Sequence, residues 1–297
     1  KSNFIKLNEV FKDIKIIPKN WNIHDVRIDI PSLGSGSDGI NPHTQYSNPL
    51  IYANINGVMC SSISFTLGKG NDIVVQCIKS IINLLEDINI YEALHSSKGI
   101  YYLFSEIDQL RWLSPYSGSV YMASAAILNL FLDYAAKKHG LPLWKLLSLS
   151  SSEDLLKWID SRNYSNNLNL EKIYKEINYP FHEIEYRIKE IEKEGLPVYF
   201  TTWIGDTNKS LVEQILLVSK EKGISNFKIK LKEDNIWNFE RISFLNENLP
   251  KNIILAADTN QTLDAENSLE LFSFLNDYKY LWLEEPFAPD NVSLHKD

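Results

Sequence analysis

An α+β domain followed by a parallel α/β domain is the fold class the sequence predicts, and three observations carry that reading. Over about the last seventy positions, strand-like and helical patterns alternate with a period of roughly 25 to 30 residues, the repeat of parallel β/α units. Before residue 150 the pattern is mixed, with extended stretches and one long helical run. Between the two lies SLSSSEDLL (148–156), polar and serine-rich, which predicts a domain boundary near residue 150.

Taken in order, residues 51–56 and 62–67 read as extended, and 120–139 read as a long helix that Gly140 and Pro142 stop. After the boundary, strands are predicted at 155–160, 227–231, 253–258 and 281–284. Helices are predicted at 170–178, 181–194, 210–222 and 265–275, with Pro180 breaking the first from the second. This is the rhythm of a TIM barrel, cut to four strands.

Composition narrows the function classes. The 297 residues are 44% hydrophobic and 23% charged with a net charge of −8, ordinary for a soluble protein and unfavourable for a nucleic-acid-binding surface. Cys60 and Cys77 offer neither a disulfide framework nor a zinc spacing. No signal segment and no stretch of transmembrane length is read from the sequence, so a cytoplasmic protein without membrane contact is expected.

The stretch NFKIKLK (226–232) alternates Lys228, Lys230 and Lys232 with Phe227, Ile229 and Leu231, which places the lysines on one strand face. A lysine-rich face suits a solvated sheet edge just as well. In a β/α barrel, however, the C-terminal strand ends build the active site. There IILAADTN ends in Asp258 and Asn260, and LWLEEP in Glu284 and Glu285. Asp258 with Asn260 also reads as a turn, and the glutamates before Pro286 as a solvated strand end. The joint pattern favours function, because three successive strands ending in charge bury it cheaply only by pairing it or binding metal.

Two amines facing two carboxylates suit abstraction of a proton beside a carboxylate. Asp258 and Glu284 would hold Mg²⁺, which neutralises the enediolate charge. Lys230, nearer the strand end, is the candidate base, and Lys228 would hold the substrate carboxylate. In a dry site Lys228 is also expected to lower the pKa of its neighbour Lys230 enough for it to serve as base.

These residues resemble the enolase superfamily, in which lysine bases work beside Mg²⁺, and within it the L-fuconate dehydratases of the mandelate-racemase-like acid-sugar dehydratases. In the first half the likeness rests on VRI, GSDGINPHTQYS, FTLGKGND, LRWLSP and GLPLWKLL; in the second it rests on IDSR, FKIKL, ADTNQ and WLEEPFAPDN. The resemblance implies an enolase-like capping domain over 1–150 and the first half of a (β/α)8 barrel over 151–297. It further implies Lys230 as general base, Lys228 as its carboxylate-facing partner, Asp258 and Glu284 as two of three metal ligands, and Asn260 as a substrate contact. Gly36, Ser37, Asp38 and Tyr46 match a loop that closes over a sugar acid, although Asp38 alone also reads as a turn aspartate. Departures from the family pattern are Thr262 and Leu263 after ADTNQ, Ser161 in IDSR, and SPYSG at 114–118.

The implied reaction is dehydration of L-fuconate or a related aldonate to a 2-keto-3-deoxy sugar acid, by a homo-oligomer when full length. The family's third metal carboxylate, Asp-His acid dyad and last glutamate come from strands five to eight, so the chain is expected to be a fragment. An inactive truncated binding protein and a racemase or epimerase are the alternatives.

Overall fold

The computed structural model describes residues 3–29, 36–40, 45–97, 99–105, 108–113, 117–160 and 169–296. Contacts group the chain into two compact units, 1–28 with 46–195, and 29–45 with 196–297.

In the first unit, 3₁₀ turns at Leu7–Phe11 and Pro18–Asn20 lead into β1 (Trp21–Asp29), β2 (Gln45–Ile55) and β3 (Val58–Ile63), a sheet in the order β1-β2-β3. Strands β2 and β3 are antiparallel with Ile55 opposite Val58, so Asn56 and Gly57 alone make the turn. Both have positive φ, 46° and 80°, as a twist-matched two-residue hairpin requires. Helices follow: α1 (Asn71–Leu84), α2 (Ile90–His95), α3 (Tyr102–Ser105), α4 (Gly118–His139), α5 (Leu143–Leu149), α6 (Ser152–Leu156), α7 (Leu170–Ile177) and α8 (Phe181–Glu194). The side chains of Asn89, Ser151 and Asn169 cap α2, α6 and α7 by accepting backbone N–H bonds. Helix α4 packs on β3 and α1, and Gly140 ends it in the left-handed conformation at φ 63°.

Two expectations fail in this unit. Residues 155–160 form no strand: Leu155 and Leu156 close α6, and a turn follows. Ser151 decides this locally, because its hydroxyl accepts from Asp154 N and starts a helix where a short apolar run alone suits either state. In addition, α4 is long and apolar enough to cross a membrane by length and composition, contrary to the sequence reading, although 56% of that window is buried in the protein.

The second unit is built of parallel β/α units. Its elements are β4 (Phe200–Thr201), α9 (Asn208–Lys222), β5 (Asn226–Lys230), α10 (Asn235–Asn248), β6 (Ile254–Asp258), α11 (Ala265–Asp277), β7 (Leu283–Glu284) and α12 (Val292–Lys296). The sheet order is β4-β5-β6-β7, and each neighbouring pair is parallel. Thr207, Asp234 and Asp264 cap α9, α10 and α11. Phe227, Ile229, Leu255 and Ala257 face a core shared with Leu211, Ile215, Ile242, Leu245 and Leu271 of those helices. Among the described residues this is a partial TIM barrel of four strands, as expected, and the first of these is 200–201 rather than 155–160.

Candidate active site

Strand pairing brings the charged residues together. Lys230 lies opposite Asp258 and Asp258 opposite Glu284, so the ends of β5, β6 and β7 are level. Helices cover the apolar face, which leaves the lysines on the other. Lys228 and Lys230 are each only 6% exposed, and Asp258 is 2% exposed. Burial of that kind demands partners.

The partners are present. Lys230 Nζ donates to Asp258 Oδ2 at 2.7 Å and to Asn260 Oδ1 at 3.1 Å. Lys228 Nζ sits between two carboxylates, 2.5 Å from Glu284 Oε1 and 3.2 Å from Asp258 Oδ2. Burial pushes the Lys228 pKa down, but the hydrogen bond its ammonium donates to Glu284 and the charge of Asp258 outweigh burial and hold the pKa above the ordinary lysine value. The sequence reading places its lowered pKa at Lys230, the candidate base; at Lys228 itself the direction is upward. Two carboxylates lie within 3.2 Å of its nitrogen.

The turn reading and the charged-site reading of Asp258 both hold. Its Oδ1 accepts from Asn260 N at 2.9 Å and forms the turn, while its Oδ2 faces both lysines. Asn260, Gln261 and Glu285 have positive φ of 50°, 66° and 46°, a left-handed conformation that side chains other than Asn and Asp rarely adopt. The strained segments are tied together: Gln261 N donates to Glu285 O at 2.7 Å, and Asn260 Nδ2 donates to Glu285 Oε2 at 3.4 Å. Backbone strain at two adjacent strand ends is a mark of functional sites. Lys232 stands apart, its Nζ 4.6 Å above the Trp237 ring and 3.7 Å from the Asp234 carboxylate.

Gly36, Ser37 and Asp38 belong to the same unit as the barrel strands. Gly36 is left-handed at φ 73°, and buried Ser37 accepts from Ile204 N at 3.2 Å. Asp38 Oδ1 accepts from Ile40 N at 2.8 Å, the turn contact its alternative reading predicts. A side chain at Gly39 would meet Leu231 O and Thr259 O at 3.3 Å, so this segment runs against the ends of β5 and β6. Tyr46 lies in the first unit, its ring 5.7 Å from that of Phe65. Ser161 and Arg162 of IDSR, and residues 114–116 of SPYSG, lie outside the described residues.

Among the described residues, no group of three or more His, Cys, Asp or Glu side chains is arranged to hold a metal. The pair Asp258 and Glu284 still fits a hard divalent cation. Both are oxygen donors, and both converge on one point, the position of Lys228 Nζ. Two residues the sequence reading passed over border this pair. Trp282 Nε1 donates to Glu284 Oε2 at 3.2 Å, and Tyr199 packs edge-on against Trp282 with centroids 5.4 Å apart. Their signal was the alternation that puts Trp282 on the face of Glu284.

Residues 210–297 match the family of enolase C-terminal domain-like proteins. Over 282 residues the chain is 30% identical to mitochondrial enolase superfamily member 1 of Homo sapiens, covering 92% of this chain and 63% of that protein. The crystal structure of that human protein aligns over 93% of this chain and 63% of its own, with a TM-score of 0.85 and 28% identity. L-galactonate dehydratase of Hypocrea jecorina is 26% identical over 279 residues, 92% of this chain and 62% of that enzyme. The structure of L-talarate/galactarate dehydratase from Salmonella typhimurium LT2, liganded with Mg and L-lyxarohydroxamate, shares the fold at a TM-score of 0.65 and 17% identity, over 95% of this chain and 60% of that one. The chain thus spans less than two thirds of the length of the curated relatives it matches. Sequence and fold together relate this chain to the enolase superfamily.

Proposed function

We propose that this chain carries the base and two metal carboxylates of an acid-sugar dehydratase, acting on L-fuconate or a related aldonate such as L-galactonate. The observation that supports it most is the division of labour between the lysines. Lys228, clamped between Glu284 and Asp258, has its pKa held above the ordinary lysine value, which favours the ammonium. It is suited to hold the substrate carboxylate. Lys230 contacts one carboxylate and one neutral amide oxygen, and it is nearer the open strand ends.

A Mg²⁺ held by Asp258 and Glu284 would supply positive charge beside the substrate carboxylate, as suits the Mg-liganded Salmonella dehydratase of the same fold. Lys230 takes the proton from C2, and its bond to Asn260 Oδ1 orients the amine. The C3 hydroxyl then leaves as water by taking a proton from a general acid, the role the resemblance gives to the Asp-His dyad of later barrel strands, and tautomerisation gives the 2-keto-3-deoxy acid. Gly36, Ser37, Asp38 and Asn260 contact the sugar in this reading, with a capping domain over 1–150 and barrel strands within 151–297.

The test incubates the protein with Mg²⁺ and a panel of L-fuconate, L-galactonate and galactarate, and assays the 2-keto-3-deoxy product. Lys230→Ala is expected to abolish turnover while leaving Mg²⁺ affinity in calorimetry unchanged. Full turnover by that variant would remove Lys230 as base, and Mg²⁺ affinity indifferent to Asp258→Asn would remove the metal role. A product epimerised at C2 instead of dehydrated would replace lyase by racemase chemistry on the same residues.

A further inference from the structure

Glu284 is the least protected member of the charged cluster. Its side chain is 33% exposed, against 2% for Asp258, and Asp258 is also fastened by Asn260 N. Something else must fix the Glu284 carboxylate if it is to hold a cation. One oxygen is taken by Lys228, but an ammonium is a poor anchor for a metal ligand, because its own charge competes for the same oxygen.

The other oxygen is held differently. Trp282 Nε1–H donates to Glu284 Oε2 at 3.2 Å, and an indole is a donor only, without charge. Such a bond orients the carboxylate and does not repel a cation placed on its far oxygen. The indole is itself positioned. It packs edge-on against Tyr199, centroids 5.4 Å apart at 72°, and Lys228 Nζ lies 5.5 Å over that same Tyr199 ring. Tyr199 precedes β4 and Trp282 precedes β7, so the two edge strands of the sheet meet through their side chains.

We propose that Trp282 is a positioning residue for the cation site: its indole N–H, braced by Tyr199, holds the Glu284 carboxylate aimed at a divalent cation. The inference rests on the metal reading of Asp258 and Glu284 given above.

The test measures Mn²⁺ affinity of the whole chain by electron paramagnetic resonance, together with quenching of tryptophan emission by the bound ion. Trp282→Phe keeps a ring against Tyr199 and removes only the donor. It is expected to weaken Mn²⁺ binding about tenfold, the size of a hydrogen bond to a charged group, and to lose part of the emission quench. Glu284→Gln separates the two claims. If Glu284→Gln weakens binding and Trp282→Phe stays within twofold of the parent, the positioning role is overturned and the metal reading stands. If neither changes the affinity, the metal reading falls and takes this role with it. Should Trp282→Phe fail to fold, Tyr199→Leu keeps the N–H and removes its brace; a several-fold loss supports the role, and unchanged affinity overturns it.

Discussion

Strands β2 and β5 alternate polar and apolar side chains alike, yet only one of them alternates in burial. In β2, Ile51, Ala53 and Ile55 are buried while Tyr52 and Asn54 are exposed, the ordinary outcome for a sheet with one wet face. In β5, Phe227, Lys228, Ile229 and Lys230 are all buried. Polar residues of β2 cost little because water solvates them. The β5 lysines must be neutralised in place by Asp258 and Glu284, with Asn260 Oδ1 accepting a further hydrogen bond from Lys230. On the proposed reading the buried charge of β5 is there for chemistry, whereas the apolar face of β2 is there for the fold.

The largest effects should separate these two kinds of burial. Asp258→Ala leaves two buried ammoniums short of a partner and is expected to lose about 3 to 5 kcal/mol in urea denaturation. Ile51→Ala in β2 is expected to lose about 2 to 5 kcal/mol through its cavity. The two losses differ in how they are repaired. Replacing Lys228, Lys230 and Asp258 together by Met, Met and Leu should restore or exceed parental stability while eliminating cation binding. A triple variant as unstable as Asp258→Ala would mean that the charged cluster stabilises the barrel, and the comparison would fail.

A smaller effect follows from Lys228. Its pKa in the fold lies above the ordinary 10.5, so the ammonium is favoured by folding. The stability this confers is fully present below the unfolded value and is lost as pH rises through the folded one. The stability difference between the parent and Lys228→Met should therefore be flat from pH 7 to about pH 10 and should shrink at higher pH. A difference that shrinks on lowering the pH instead would reverse the assigned direction.

How much was legible in the sequence follows the same division. Period-two alternation in NFKIKLK and the charged ends ADTN and LEEP give the face, the level and the partners of Lys228, Lys230, Asp258 and Glu284, since strand geometry is nearly context-free. Strand identity was less legible. β4 has only two residues, too few for any periodicity, while 155–160 offered a short apolar run that a serine cap turned into helix. The direction of the Lys228 shift could not be read from its neighbour in sequence. It depends on oxygen atoms 30 and 56 positions away, at 3.2 and 2.5 Å. Trp282 was hidden because an aromatic residue at a strand start reads as core, and its N–H acquires meaning only from where Glu284 Oε2 lies.

The smallest predicted effect probes whether the segment carrying Asp38 is fixed or merely near. An added Cβ at Gly39 would stand 3.1 Å from Thr262 Cγ2 and 3.3 Å from both Leu231 O and Thr259 O. The threonine methyl cannot rotate freely, because Oγ1 on the same Cβ donates to Thr259 O at 2.7 Å. The carbonyls cannot move freely, because Leu231 N is tied to Asp258 O at 2.9 Å and Thr259 O accepts from Thr262 Oγ1 at 2.7 Å. Each carbonyl ends a strand that carries a lysine or carboxylate of the cluster. Gly39→Ala is thus expected to cost about 1 kcal/mol, as mild overpacking does, and to speed amide exchange at Gly39 and Ile40 first. If exchange there stays as in the parent, the segment yields as a whole. Specificity would then have to come from the barrel face, where Asn260 and Glu284 are held by the strands themselves rather than by a loop laid over them.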